Sequence, residues 1–118
     1  MNRTDFNAFC ETFPSAANVV QWGDASVWKV GGPKGPVFAI HSNWGAKGGV
    51  VLKPSEMARE IWRGAPGVSL APYLVRAGWV LIEPDAMTAD ELKALIAGSH
   101  EINAAKLTKR ARAAAGLD

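Results

Sequence analysis

Residues 18–30, NVVQWGDASVWKV, carry the pattern from which the architecture can be inferred. Two runs rich in β-branched and aromatic residues flank GDAS, whose Gly and Asp are typical of a tight turn. The stretch therefore predicts a β-hairpin. Two more strands follow, PVFAIHS at 36–42 and VVLK at 50–53. Because their connections are short, all four strands are expected to be antiparallel neighbours.

The third of these strands shows a regular alternation of side chains. With a period of two, one face should carry Phe38, Ile40 and Ser42, and the opposite face should carry Val37, Ala39 and His41. The connection before it, GGPKGP at 31–36, reads as a loose hairpin because its prolines cannot donate to a sheet ladder.

Apolar residues at helical spacing predict three helices. The first begins near Thr4, which can cap it, and ends before Pro14. The last begins at Thr88, where Glu91 completes a capping box. The middle helix covers PSEMAREIW, and its predicted apolar stripe is Met57, Ala58, Ile61 and Trp62.

The order of these elements predicts an α+β fold. An antiparallel sheet of about five strands, the fifth being WVLIE at 79–83, carries helices on one face in the order α-β-β-β-β-α-β-α. Residues 63–72 read as a linker. One domain is expected at 1–105, followed by a basic, Ala-rich tail or helix extension at 106–118.

The charge is concentrated at one end of the chain. Thirteen Lys and Arg against eleven Asp and Glu give a net charge of +2, yet residues 1–105 hold nine basic and ten acidic side chains. Four bases and one acid lie in 106–118. The body is therefore balanced, and it lacks the whole-domain basic surface typical of many nucleic-acid-binding domains.

Composition also bears on where the protein works. The first ten residues lack the basic and then apolar pattern of a signal peptide, and no apolar run is long enough to span a membrane. The one cysteine, Cys10, has no disulfide partner in the chain. A reducing cytoplasm is the expected compartment, with no membrane contact.

Groups able to carry catalysis are few. The two histidines, His41 and His100, lie in a strand and in the last helix, and the adjacent Ser99, His100 and Glu101 point about 100° apart, so they cannot form a triad. Ligand spacing for zinc is absent, and the Gly-rich loops lack the Lys-Ser/Thr ending of a phosphate loop. We therefore expect no enzyme activity, no metal and no cofactor.

The five tryptophans divide into two groups. Trp28, Trp62 and Trp79 have apolar neighbours and are expected in the core. Trp44 follows a strand and precedes a glycine, where a ring is harder to bury, and we expect it to be exposed as a stacking platform. For Trp22, at the end of a strand, the sequence does not decide between a core position and an exposed ring.

Exposed aromatic rings beside cations bind nucleic acid without regard to sequence, through stacking and phosphate contacts. If the tail continues the last helix, its bases form one stripe. The candidate nucleic-acid-binding residues are Trp44, Lys47, Lys53, Tyr73, Arg76, Lys106, Lys109, Arg110 and Arg112.

Segments across nearly the whole chain resemble the MmcQ/YjbR family of small proteins. They are WGDASVWKVGG followed by VFAI, then VLKPSEMAREI, PGVSLAPYLVRAGWVLIE and LKALIAGSHEINAAKL. The departure from the family pattern is GGPKGPVF, where a hairpin connection is longer than the expected GGK. That difference affects the shape of one hairpin tip.

The resemblance implies a bacterial frataxin-like fold and DNA binding. Iron binding on that fold needs an acidic ridge, whereas the first helix here offers Asp5 and Glu11, with Asp24 in a later turn. We therefore expect no iron. A protein-interaction or adaptor domain remains the alternative, followed by a small-ligand sensor, and a monomer is favoured.

Overall fold

A computed structural model describes residues 1–72, 74 and 77–117. Helices and strands follow the predicted order up to the middle helix. After it come two strands and two helices, where one of each was expected. The elements are α1 Arg3–Glu11, β1 Ala16–Gln21, β2 Ala25–Val30, β3 Val37–Ser42, β4 Gly49–Leu52, α2 Glu56–Trp62, β5 Val68–Leu70, β6 Val80–Ile82, α3 Ala89–Ala104 and α4 Lys109–Ala114.

The strands form one antiparallel sheet in the order β1-β2-β3-β4-β6-β5. The broad α+β class and the meander of the first four strands are confirmed. The count of about five strands was one short, because β5 lies in the segment that read as a linker. Its three residues pair with β6, with Val68 opposite Ile82. So short a strand after Gly67 has too few residues to show an alternation.

Helices α1 and α3 pack on one face of the sheet, as predicted. The predicted cap of α1 was wrong: the N-cap is Asn2, whose Oδ1 accepts a hydrogen bond from Asp5 N–H (2.8 Å), and not Thr4. The capping box of Thr88 and Glu91 on α3 is confirmed. The main core lies between these helices and the sheet, and its largest members are Phe6, Trp28, Phe38, Leu52, Ile82 and Ile96.

A second apolar cluster covers the opposite face of the sheet. Val27, Ile40, Val51 and Leu81 point to this side and are at most 4% exposed. The side chains packed over them come from the loops after β3 and β5 and from the residue before β6: Trp44, Ala71, Leu74 and Trp79. The protein thus buries both faces of its sheet, one under helices and the other under loops.

A β-bulge in β3 overturns the predicted alternation. Trp28 pairs with Ala39 and Lys29 pairs with Val37, so Phe38 is an extra residue in its strand. Phe38 and Ala39 therefore both belong to the helix-side core, while Ile40 faces the other cluster. The predicted sharing of one face by Phe38 and Ile40 was wrong, because strict alternation fails at a bulge.

The C-terminal segment forms its own helix and does not extend α3. The longer helix ends at Ala104, and Thr108 caps α4 by accepting from Ala111 N–H (3.1 Å). Contacts with the body include the packing of Leu107 against the helix-side core and the hydrogen bond that Ser15 Oγ donates to the Ala115 carbonyl (2.8 Å).

Candidate binding surfaces

A groove of about 500 Å³ lies between α2, the strands β5 and β6, and α3. We call it the α2–β5 groove. Two arginines line the groove: Arg59 lies in α2, and Arg63 directly follows it. Among the described residues, no acidic side chain lines the groove. Its apolar lining includes Trp62, Val68, Leu70, Val80, Ile82 and Leu95.

The groove exists because α2 packs loosely on the sheet. None of its residues in the described structure is fully buried. Met57 and Ile61 are 75% and 70% exposed, so the predicted four-residue apolar stripe was wrong. Ala58 and Trp62 face the groove instead, and Trp62 is half-buried where a core position was expected.

Two cations meet at one end of α2, next to Gly78. A Cβ placed on Gly78 would lie 2.6 Å from Arg59 Nη1 and 2.8 Å from Lys53 Nζ. Lys53 Nζ also donates a hydrogen bond to the Ala77 carbonyl. The half-buried Arg59 guanidinium makes no hydrogen bond or ion pair with the residues that the structure describes. Two positive charges therefore adjoin each other without a carboxylate between them.

The tryptophans only partly follow the expectations from sequence. Trp28 and Trp79 are buried, as predicted, at 6% and 7% exposure. Trp44 was expected to be exposed, but it is half-buried because its loop lies against the loop-covered cluster. Trp22 is the exposed ring, at 51%, and its centroid lies 6.2 Å from that of Trp44.

The turn that presents Trp22 has an unusual backbone. Trp22, Gly23 and Asp24 have φ values of +53°, +73° and +75°. This left-handed region disfavours a bulky side chain. Arg3 of α1 holds the turn by donating to the Asp24 carbonyl (2.8 Å) and by lying 3.6 Å from its carboxylate.

The predicted C-terminal cations do not share one environment. Lys106, Lys109 and Arg110 are exposed, and their side chains form no ion pair within the described part of the chain. Arg112 is half-buried: its guanidinium donates to the Ala104 carbonyl (2.8 Å) and to the Leu117 carbonyl (3.1 Å). It therefore has a structural task in joining α3, α4 and the end of the chain.

Two further predicted site residues, Lys47 and Lys53, lie on opposite sides of β4 in the chain. Lys47 is exposed in the loop between β3 and β4, whereas Lys53 points toward Gly78. Tyr73 and Arg76 lie outside the described residues.

The cysteine and the two histidines pack against the rest of the domain, and burial shifts the pKa of each. Burial raises the pKa of the Cys10 thiol to about 12, so it stays protonated and unreactive. His100 stacks on Phe13 with 4.5 Å between ring centroids, and burial lowers its pKa. For His41, burial, the Arg3 charge and the N-terminal charge all lower the pKa.

Residues 1–72, 74 and 77–117 contain neither a candidate metal site nor a helix able to span a membrane. No group of three His, Cys, Asp or Glu side chains is placed to hold a metal ion. No helix in these ranges has the length and apolar character needed to cross a membrane.

Sequence reasoning missed four residues of these surfaces: Trp22, Arg59, Trp62 and Gly78. Arg59 and Trp62 are three apart, a spacing that places two helical side chains on neighbouring positions of one face. That spacing was the available signal. For Gly78 the sequence gave no signal, because its positive φ of +76° is visible only in the structure.

Comparisons with known proteins agree with this architecture. A sequence model of the YjbR family matches residues 11–102. A crystal structure of a protein from Pseudomonas syringae is similar with a TM-score of 0.70 and 17% identity, covering 87% of this chain and 99% of that one. At that identity the likeness concerns the fold alone. A search of curated proteins gave no significant match.

Proposed function

The chain belongs to the YjbR family, and from that premise we propose that it is a non-catalytic binding module for nucleic acid. The observation that carries the proposal is the exposed C-terminal group of cations, which we call the basic patch: Lys106, Lys109 and Arg110. Side-chain cations of this kind bind phosphates without reading bases. DNA is the ligand that the family resemblance implies.

Two members of the basic patch lie in α4, and their position supports a role outside folding. Lys109 and Arg110 occupy the first turn of the helix, which contains no acidic residue. Positive charge near a helix N-terminus is unfavourable, by about 0.3–1 kcal/mol per charge. These two side chains therefore do not stabilise α4 through its dipole, and a phosphate ligand accounts for their charge.

The patch leads to a quantitative test with duplex DNA. The double variant Lys109→Gln and Arg110→Gln should weaken binding to every duplex sequence alike. If both cations contact phosphates, log Kd against log salt should change in slope by about 1.8, from about 0.9 per contact. Fluorescence titration of labelled duplexes of mixed sequence at several salt concentrations measures the slope. Circular dichroism checks the fold, which these exposed substitutions should leave intact.

A matched control separates the patch from general charge. Lys34→Gln with Lys93→Gln removes the same charge from exposed positions on a hairpin and on α3. This control should keep the wild-type slope. Equal slopes for both double variants, or no binding by the intact protein at low salt, would contradict DNA binding through the patch.

A second function, as a protein-interaction domain, is favoured by the exposed side of α2. Met57 and Ile61 are one helical turn apart and form an apolar pair that the fold leaves uncovered. Substituting both with Gln should abolish capture of a protein partner while leaving the DNA titration unchanged. The reverse pattern would assign function to the basic patch alone.

We further propose a cytoplasmic monomer whose fold is related to that of bacterial frataxin. The buried, protonated Cys10 is in keeping with a reducing compartment. Size-exclusion chromatography with light scattering tests the monomer, since a dimer would double the measured mass.

A further inference from the structure

We propose that the α2–β5 groove is a binding site for a small amphiphilic anion, with an apolar body in the groove and a carboxylate or phosphate head group at Arg59 and Lys53. This site is separate from the basic patch, and its occupation does not depend on nucleic-acid binding.

The size and lining of the groove fit a small organic molecule. Small-ligand pockets generally span about 300–1,000 Å³ and combine apolar walls with a few polar groups, and this groove has about 500 Å³. Val68, Ile82 and Leu95 supply aliphatic surface, and Trp62 offers a half-buried indole. A flat apolar or aromatic body would contact both kinds of surface.

The charges at the groove determine the sign of the ligand. Arg59 lines the groove and lies beside Lys53, with both charged groups within 3 Å of the position that a Gly78 Cβ would occupy. The other groove arginine, Arg63, is already paired with Glu60 at 3.0 Å. A cationic ligand would meet repulsion here, whereas an anion would gain charge-assisted hydrogen bonds.

Arg59 is available to a ligand in a way that most half-buried arginines are not. Its guanidinium makes no hydrogen bond or ion pair in the described structure, although buried polar groups are normally satisfied. Lys53 retains donor capacity beyond its bond to the Ala77 carbonyl, since an ammonium carries three N–H groups. One carboxylate can therefore accept from both residues.

Gly78 lies directly beside the two cations. Its φ of +76° is strained for other residues, and a Cβ there would displace the flexible ends of the Arg59 and Lys53 side chains. The glycine thus permits the backbone to pass beneath two cations at close range.

The test uses naphthylacetate and its neutral isostere naphthylacetamide as probes of the full-length protein. Titrations followed in amide NMR spectra should shift resonances of residues 58–64, 68–70 and 80–82. The carboxylate should bind about tenfold more tightly than the amide, because only it forms charge-assisted bonds with Arg59 and Lys53.

Three variants locate the two parts of the ligand. Arg59→Gln should lower the affinity for naphthylacetate toward that for naphthylacetamide, with Lys53 retaining part of the preference, and leave the amide's affinity unchanged. Ala58→Phe should fill the groove and block both probes. Lys34→Gln, a control that removes one positive charge from the exposed hairpin between β2 and β3, should bind like the wild type. Amide spectra of the unliganded variants show whether each retains the fold.

Several outcomes would overturn the proposal. These are shifts confined to other surfaces, no binding of either probe, equal affinities for acid and amide, or unchanged acid binding by the Arg59→Gln protein. Failure of the DNA-binding proposal, such as no DNA binding by the intact protein, leaves the result with these probes untouched, so the two proposals fail independently.

Discussion

Trp79 and Trp22 show how differently two indole rings serve this protein. Trp79 is 7% exposed and packs over the loop-covered side of the sheet with Val51 and Leu81. Trp22 stands on a strained turn with half of its surface in water. The first ring therefore contributes to stability, and the second is free to contact other molecules.

Replacing these tryptophans should give contrasting losses of stability. Trp79→Ala should lower the free energy of unfolding by about 3–5 kcal/mol, because it leaves a cavity over the sheet. Trp22→Ala should change it by less than about 1 kcal/mol. Urea denaturation followed by far-ultraviolet circular dichroism measures both. A small loss at Trp79 would mean that the ring is not part of the core.

Single side chains also limit what could be inferred from the sequence. The helical spacing that predicted α3 is confirmed, with Leu92 and Ile96 buried, because periodicity reports directly on a well-packed helix. The predicted alternation failed at Phe38, because a bulge depends on the pairing between two strands. Arg59 became a candidate only because the fold brings its guanidinium and Lys53 together beside Gly78, which is distant in sequence.

Helix α4 behaves as part of the domain, although its sequence is that of a basic tail. Leu107 and Leu117 pack against the helix-side core, and Arg112 bonds to the ends of α3 and of the chain. The sequence boundary expected near residue 105 therefore does not coincide with a loss of packing. Its positive charge was the feature visible in the sequence, whereas its two leucines determine how it packs on the domain.

Deletion of residues 106–118 should destabilise the whole protein. Losing the two partly buried leucines should cost about 2–4 kcal/mol. The double variant of Lys109 and Arg110 should cost nothing measurable, since both side chains are exposed. Thermal denaturation of the two proteins makes the comparison. A truncated protein as stable as the wild type would show that α4 is not docked in solution.

The whole molecule is organised by one sheet with apolar clusters on both faces. The same strands serve both clusters: Leu52 faces α1 and α3, and the preceding Val51 faces the loops. A substitution that disrupts one cluster must therefore disturb the strand pairing on which the other cluster also depends. This arrangement favours a single cooperative unfolding unit.

Equivalent cavities on the two faces should affect one common transition. Leu52→Ala and Leu81→Ala should each lower the free energy of unfolding by about 2–5 kcal/mol, with an unchanged denaturant slope. Urea titrations read by tryptophan fluorescence and by circular dichroism should coincide for both variants. Separate transitions in the Leu81→Ala protein would show that the loop-covered face melts independently.

The strand order β4-β6-β5 fixes when the sheet can be completed as the chain emerges from the ribosome. The first four strands pair with close sequence neighbours, but β4 waits for Val80–Ile82 to become its second partner. Until then Val50, Val51 and Leu52 form an unprotected apolar edge. Lys53 N–H and Ser99 Oγ, 3.0 Å apart, join only when α3 has also been synthesised. The last third of the polypeptide thus closes a sheet that its first half begins.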